Sequence, residues 1–143
     1  MKRFSDEVDR LLVKAGWFEG RDVLDQVRLL EGFTPFAAAQ QVLREFGNLH
    51  IGSSGAGIDC ARSDVEIDPS LIAGGEELIA EFENKLGIKL TPLGEAHNGH
   101  LIFLMDEQGR VFASWLFHDV FPYAKSFDRA LETFLLGLDN EGV

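Results

Sequence analysis

The segment LGEAHNGHLIFLMDEQGRVFASWLF, residues 93–117, predicts the centre of the fold. Its Asn98-Gly99 pair favours a type I′ turn, because both central residues of that turn need a positive φ. We therefore expect a hairpin that joins Leu93–Ala96 to Leu101–Met105. The second of these strands is apolar on both faces, which is typical of a strand in the middle of a covered sheet.

Further strands are predicted on both sides of this hairpin. Asp106–Gly109 has the composition of a turn, so Val111–Phe117 is expected to return as a strand. Upstream, apolar residues recur with the period of two that strands show, at Leu49, Ile51, Val65, Ile67, Ile88 and Leu90. Most of these strands follow one another without a crossover helix, which predicts a largely antiparallel, meandering sheet.

Three helices are predicted in the first third of the chain. Ser5 is the candidate N-cap of the first helix. The second is expected from Asp22 to Glu31, where apolar residues share one helical face. Thr34 as N-cap and Pro35 as the first helical residue predict the start of the third, which ends at Gly47.

Two more helices complete the predicted fold. One, around Leu78–Leu86, is inserted between strands, and Ser126 is expected to cap the last. The buried stripe of the last helix is predicted from its apolar spacing to be Phe127, Ala130, Leu131, Phe134 and Leu135. The fold class is therefore α+β, with N-terminal helices, one inserted helix and a C-terminal helix packed on the sheet. A length of 143 residues predicts a single domain over 1–143.

The charge of the chain is its first functional clue. Asp and Glu number 24 against 13 Lys and Arg, a formal net charge of −11. Clustered Lys and Arg bind a phosphate backbone, and beyond the isolated Lys2-Arg3 pair no such cluster occurs, so direct nucleic-acid binding is not expected. An acidic field favours a basic partner. The alternative is that the acidity serves solubility alone.

Cysteine content and hydropathy predict the compartment. Cys60 is the one cysteine, so no internal disulfide can form. The start of the sequence lacks an apolar signal region, and the longest apolar run is far too short to span a bilayer. We expect a cytoplasmic protein without membrane contact.

The chemistry-bearing residues do not form a recognisable site. Gly52–Gly57 lacks the Gly-Lys-Ser/Thr of a P-loop and the spacing of a dinucleotide fingerprint, so we interpret it as a connector. His97 and His100 flank a turn near Glu95, but a zinc site needs three or four converging ligands. No catalytic residue, metal site or cofactor is therefore predicted.

Two other groups were weighed for catalysis. Cys60 could act as a nucleophile beside a histidine, but a lone cysteine without local support is interpreted as a small buried hydrophobe. Four glutamates could supply paired carboxylates, but they are interpreted as the solvated face of the inserted helix: Glu76, Glu77, Glu81 and Glu83.

Five blocks of sequence resemble the SUKH superfamily of bacterial immunity proteins, in particular its third subgroup. They cover about residues 11–137 and are Leu11–Arg21 around Ala15-Gly16-Trp17; Gly32-Phe33 to Phe46-Gly47; Ile67-Asp68-Pro69; Pro92–Ala96 with Asp106–Val111; and Ser126-Phe127-Asp128 to Ala130-Leu131. Ser53–Gly57 and the tail after Leu138 have no counterpart in the resemblance.

The resemblance implies a protein that binds a cognate toxin and protects the producing cell. Many toxins met by this superfamily act on nucleic acid, and a basic cleft of that kind suits an acidic blocker. The superfamily also resembles eukaryotic scaffold proteins, so a scaffold or adaptor module is the alternative function. No catalytic motif is carried over, and an enzyme is not expected.

The partner-binding surface is predicted from charge. We expect contacts from acidic residues that occupy strands and turns and are exposed, namely Asp59, Asp64, Glu66, Asp68, Asp106 and Glu107. If charge is not used, the contacts are expected from apolar loop residues such as Phe121 and Tyr123. Aromatic residues of the shared blocks, such as Trp17, are interpreted as core, and Arg21 is expected to pair with an acidic residue at a helix start.

Overall fold

A computed structural model describes residues 2–116 and 118–140 of the protein. Its main sheet has six strands in the order β1-β4-β5-β6-β7-β8, and every neighbouring pair is antiparallel. The strands are β1 His50–Ile51, β2 Gly55–Ala56, β3 Ala61–Arg62, β4 Val65–Glu66, β5 Leu90–Ala96, β6 Leu101–Asp106, β7 Val111–Trp115 and β8 Val120–Ala124. The α-helices are α1 Asp6–Ala15, α2 Ala37–Phe46, α3 Glu76–Leu86 and α4 Phe127–Leu136, with 3₁₀ helices at Leu24–Gln26 and Pro69–Ile72. The predicted α+β class is confirmed.

The sheet lies between two apolar layers. On one face, α1, α2 and α4 pack their buried stripes against strand residues such as Ile51 and Phe103. On the other face, α3 contributes Ile79 and Phe82 to a smaller layer that includes Leu104. Because β6 lies between these layers, all six of its residues are buried, as its apolar composition predicts.

The first and last helices are confirmed with their caps. The Ser5 hydroxyl accepts the Val8 N–H, and the Ser126 hydroxyl accepts the Arg129 N–H. Each bond satisfies a backbone donor that the first helical turn leaves without a partner. The predicted stripe of α4 is buried throughout.

The helix predicted over 22–31 is wrong. The structure has only the 3₁₀ turn Leu24–Gln26 there. The Val23 N–H donates to the carbonyl of Arg44, and the Asn48 side chain donates to the carbonyl of Gln26. Backbone groups of the segment therefore bond to α2 and to Asn48, which lies between α2 and β1, and not to one another within a helix. Tertiary contacts overrule the helical spacing of its apolar residues.

Helix α2 also begins later than predicted. Phe36 is its N-cap residue, so Thr34 and Pro35 precede the helix. The Pro35 carbonyl accepts a bond from the side chain of Gln40. Pro35 is buried, and this bond holds the extended entry to α2 in place.

The hairpin between β5 and β6 is confirmed, with the predicted turn: Asn98 and Gly99 have positive φ, 55° and 84°, and the His100 N–H donates to the His97 carbonyl. An overlapping turn precedes it, since His97 also has a positive φ of 51° and the Gly99 N–H donates to the Ala96 carbonyl. Tertiary bonds hold both turns. The His97 N–H donates to the Ser63 hydroxyl and the Asn98 N–H to the carboxylate of Asp64, which fixes the turn against the segment before β4.

The edge strand β8 was not predicted. Phe121 and Tyr123 were expected in a loop, but both lie in β8, and Tyr123 is buried against Phe134 with ring centroids 4.3 Å apart. The edge is poorly suited to further pairing. Pro122 has no N–H, and the Val120 N–H bonds to the side chain of Asp119.

The glycine-rich connector forms a small hairpin, β2 with β3, at the end of α4. The N–H groups of Ile58, Asp59 and Cys60 donate to the carbonyls of Leu136 and Gly137. The hairpin thus satisfies carbonyls that a helix C-terminus leaves free. Cys60 in this hairpin is exposed, so its interpretation as a buried hydrophobe is wrong.

Candidate functional site

Carboxylates gather on the α3-side face of the sheet, across β4 and β5. Asp64, Glu66 and Asp68 alternate along one extended segment, so their side chains point to the same face. Glu66 lies directly opposite Glu95 in the antiparallel register. We call these four residues, Asp64, Glu66, Asp68 and Glu95, the acidic face.

A glycine brings the two strands together at this point. A Cβ added to Gly94 would lie 2.0 Å from the backbone oxygen of Glu66. No other residue fits at that distance. The close approach fixes Glu66 and Glu95 as neighbours on rigid strands.

The other three carboxylates of the acidic face affect the pKa of Glu95. Burial raises the pKa of its carboxyl above the ordinary 4.5, and the negative charges of Glu66, Asp64 and Asp68 raise it further. The ionised form is therefore disfavoured in the folded state. The arrangement costs stability at neutral pH.

Asp64 is the structural member of the acidic face. Only 7% of the residue is exposed; one carboxylate oxygen accepts the Asn98 N–H at 2.9 Å and the other lies 2.7 Å from His50 Nε2. Burial acts to raise the pKa of this carboxyl, but the bonds from Asn98 and His50 prevail and hold it below the ordinary 3.8. Asp64 thus ties the hairpin turn and β1 to β4.

His50 is the basic side chain that the described part of the chain places beside the acidic face. Besides Asp64, its Nδ1 lies 3.8 Å from an oxygen of Glu66. Across residues 2–116 and 118–140, the ion pairs of these four carboxylates involve His50 alone. Negative charge is therefore left over at the surface.

The structure does not bring the six predicted partner-binding residues together. Asp64, Glu66 and Asp68 share the acidic face. Asp59 is exposed in the β2–β3 hairpin, where its carboxylate accepts the Asp139 N–H. Asp106 ends β6 and Glu107 begins the β6–β7 turn, at the opposite end of the sheet from His97–His100.

The expectation that all six are exposed is wrong at two positions. Asp64 is buried, as described above. Asp106 is 2% exposed and accepts bonds from the N–H groups of Gln108 and Arg110 and from Arg110 Nε at 2.5 Å. Both aspartates serve turns, which composition alone does not reveal. Glu107 is exposed, and Glu66 and Asp68 are partly exposed.

Glu95 is the member of the acidic face that the sequence analysis did not include among the partner-binding residues. Its position two residues before the turn was considered only for metal binding with His97 and His100. The His97 ring instead packs on Trp115, centroids 4.9 Å apart, and burial lowers its pKa. Within the described residues, no three His, Cys, Asp or Glu side chains are grouped so as to hold a metal ion. Predicting the Glu66–Glu95 register would have found the site.

The shared blocks serve the scaffold. The Arg21 guanidinium donates to the backbone carbonyl of Glu45 near the end of α2, so the expected pairing with an acidic residue at a helix start is wrong. The Trp17 indole donates to the Glu45 carboxylate while packing on the main core. These contacts fasten the segment after α1 to α2.

An antiparallel sheet with helices on both faces, and with carboxylates grouped on β4 and β5 at one end of it, defines the class of this protein as a small α+β domain. The chain belongs to the SUKH-3 immunity protein family, whose model matches residues 4–137. The resemblance identified from the sequence blocks is thereby confirmed. No curated protein and no solved structure matches the chain. Among the described residues, no helix has the length and apolar character needed to cross a membrane.

Proposed function

We propose that the protein neutralises a cognate toxin domain by laying its acidic face over the basic active site of a toxin that acts on nucleic acid. It works by binding, without catalysis, in the cytoplasm of the producing cell. The observation that carries the proposal is the placement of Glu66 directly opposite Glu95. Family membership supports an immunity role.

The Glu66–Glu95 pair does not stabilise the fold, which supports a role in binding a partner. Like charges directly opposite each other in a sheet destabilise it, within a range of roughly 0.2–1 kcal/mol per pair. Here two further aspartates add to the same field. A basic partner would offset the repulsion between these carboxylates, so the free energy that the repulsion costs the folded chain would favour binding.

The acidic face is also preorganised. Asp64 is bonded on both sides, and Asp68 accepts the Ser70 N–H and hydroxyl. Glu66 and Glu95 therefore stand on a backbone that does not have to become ordered on binding, which lowers the cost of association. Their carboxylates supply the long-range attraction.

The test begins by reading the open reading frame immediately upstream. A large secreted protein encoded there supplies the toxin domain, its C-terminal domain made as an inactive variant. Binding kinetics are measured for the wild type, for a Glu66→Gln/Glu95→Gln double variant and for a matched Glu77→Gln/Glu81→Gln control on the exposed side of α3. We expect the acidic-face variant to associate about tenfold more slowly and the control to match the wild type. Equal rates for all three would overturn the proposed site.

Salt sharpens the same measurement. Screening over about 8–10 Å weakens steering between exposed charges, so association with the wild type should slow as salt rises while dissociation changes much less. The acidic-face variant should show a shallower dependence. If salt changes the association rate by less than about twofold, acidity serves solubility. If no toxin is encoded nearby and none is bound, the scaffold alternative is favoured.

A further inference from the structure

Large apolar side chains are exposed where β7 ends. Trp115 is 41% and Leu116 45% exposed, and with Phe121 of β8 they line an open groove of about 510 Å³. We call Trp115, Leu116 and Phe121 the apolar shelf. Exposed apolar groups that are grouped in this way mark interaction surfaces more often than single ones do.

The apolar shelf and the acidic face lie at the same end of the sheet, with Trp115 on the α4 side, opposite Leu101, and Glu95 on the α3 side, opposite Ile102. The Leu116 N–H donates to the His100 carbonyl at 2.9 Å, and the same turn is bonded through Asn98 to Asp64. A Cβ added at Gly99 of that turn would lie 3.5 Å from a carboxylate oxygen of Glu95. Charge and apolar surface therefore lie on the two sides of one hairpin turn.

The apolar shelf is held in place from below. The Trp115 ring packs on His97, which in turn packs edge-on against Phe134 of α4 with centroids 6.2 Å apart. The Ser114 hydroxyl lies within hydrogen-bonding distance of the carbonyls of Trp115 and His118, at 3.1 and 3.0 Å. Trp is one of the residue types that are enriched at interface hot spots.

We propose that the apolar shelf seats an apolar side chain of the toxin domain whose neighbours are Lys or Arg. The inference rests on the proposed function and extends its interface beyond the acidic face. Charge selects this occupant. A second copy of the chain would bring two acidic faces of a protein with net charge −11 towards each other, whereas a basic partner satisfies both surfaces.

The contact is made by side chains and not by strand addition. In β8, Pro122 lacks an N–H and the Val120 N–H is already bonded to Asp119. A partner strand would find few donors along this edge. The groove above Leu116 is the accessible feature.

The test compares Leu116→Ser with Leu29→Ser, because both leucines are 45% exposed and Leu29, in the segment before α2, does not line the groove. Binding to the inactive upstream toxin domain is measured at low and high salt. We expect Leu116→Ser to dissociate about tenfold faster at both salt concentrations, with little change in association. Leu29→Ser should bind like the wild type.

Other outcomes are distinguishable. If the acidic-face variant weakens binding but Leu116→Ser does not, the proposed function stands and the apolar shelf is rejected as a contact. If the wild type sediments as a dimer that Leu116→Ser converts to a monomer, a second copy occupies the shelf and the inference is overturned. A wild type that binds no toxin domain rejects the proposed function itself. Trp115→Ala, checked for an unchanged melting curve, repeats the test with a second side chain.

Discussion

At each end of the sheet a buried aspartate accepts backbone N–H groups of a turn, but the two ends differ in how that aspartate's charge is compensated. At one end, the buried Asp64 accepts a backbone N–H of the β5–β6 turn; at the other, the buried Asp106 accepts two from the β6–β7 turn. Asp106 is also paired with Arg110, a permanent cation. Asp64 has only His50, and Glu66 and Glu95 add negative charge beside it.

The difference teaches that carboxylates with similar local sequence have different roles. At the β6–β7 end the buried Asp106 is paired with a cation within the fold, while the β5–β6 end retains grouped negative charge that a partner can use. Net charge alone predicts that some acidic surface exists. Only the strand register shows where the charge remains.

The largest effect is expected for Phe134→Ala, which removes the support beneath the charged end. Phe134 packs on Tyr123, Phe103 and His97, so truncation should lower the free energy of unfolding by about 3–5 kcal/mol. Denaturant unfolding measures this. A variant as stable as the wild type would show that α4 does not support the hairpin.

The next effect separates the two buried aspartates. Asp106→Ala should destabilise by about 2–3 kcal/mol, because Arg110 and two amides lose their partner. Asp64→Ala should cost less, about 1–2 kcal/mol. Glu107→Gln, a neighbouring exposed control, should stay within about 0.5 kcal/mol of the wild type.

The pH dependence of unfolding should report the contribution of Asp64. The pKa of Asp64 is lowered by folding, so its contribution is complete above its ordinary pKa of 3.8 and is lost as the pH falls through the folded-state value. The wild type should therefore lose more stability than Asp64→Ala does on acidification below about pH 4. Parallel stability curves would contradict this assignment.

The smallest effect has the opposite sign. Glu95→Gln should stabilise the fold at neutral pH by about 0.2–1 kcal/mol, because it removes a like charge from the sheet. The gain should appear as the pH rises above the ordinary 4.5 through the raised folded-state pKa, and should vanish at lower pH where Glu95 is protonated in both states. A variant that is less stable at neutral pH would refute the repulsion.

The sequence predicted the elements whose signals are local. Ser5 and Ser126 mark real helix starts, and the residues around Asn98 mark a real hairpin. The prediction over 22–31 failed because its apolar residues do not share one face: Val27 is buried in the main core, whereas Leu30 is buried in the smaller layer beside α3. Strand β8 was missed because Pro122 argues against a strand unless the strand is known to lie at an edge.

Only the part of the candidate site that depends on local sequence pattern could be predicted. Period-two alternation places Asp64, Glu66 and Asp68 on one face without any structure. Glu95 joins them only through the β4–β5 register. The burial of Asp106 depends on hydrogen bonds inside a turn, which its acidic character does not reveal.

The β2–β3 hairpin has a consequence for how the protein can change. Its turn is fixed: a Cβ on Gly57 would lie 2.2 Å from the Cys60 oxygen and 2.7 Å from the Cα of Gly137, so the backbone there packs directly against the end of α4. The residues before Gly57, from Ser53 on, are exposed and carry none of these close contacts except where Gly55 meets the Arg62 side chain. Lengthening the chain at residues 53–56, or changing their side chains, would therefore leave α4 and the main sheet intact. This stretch can present a different surface without any change in the packing of the core.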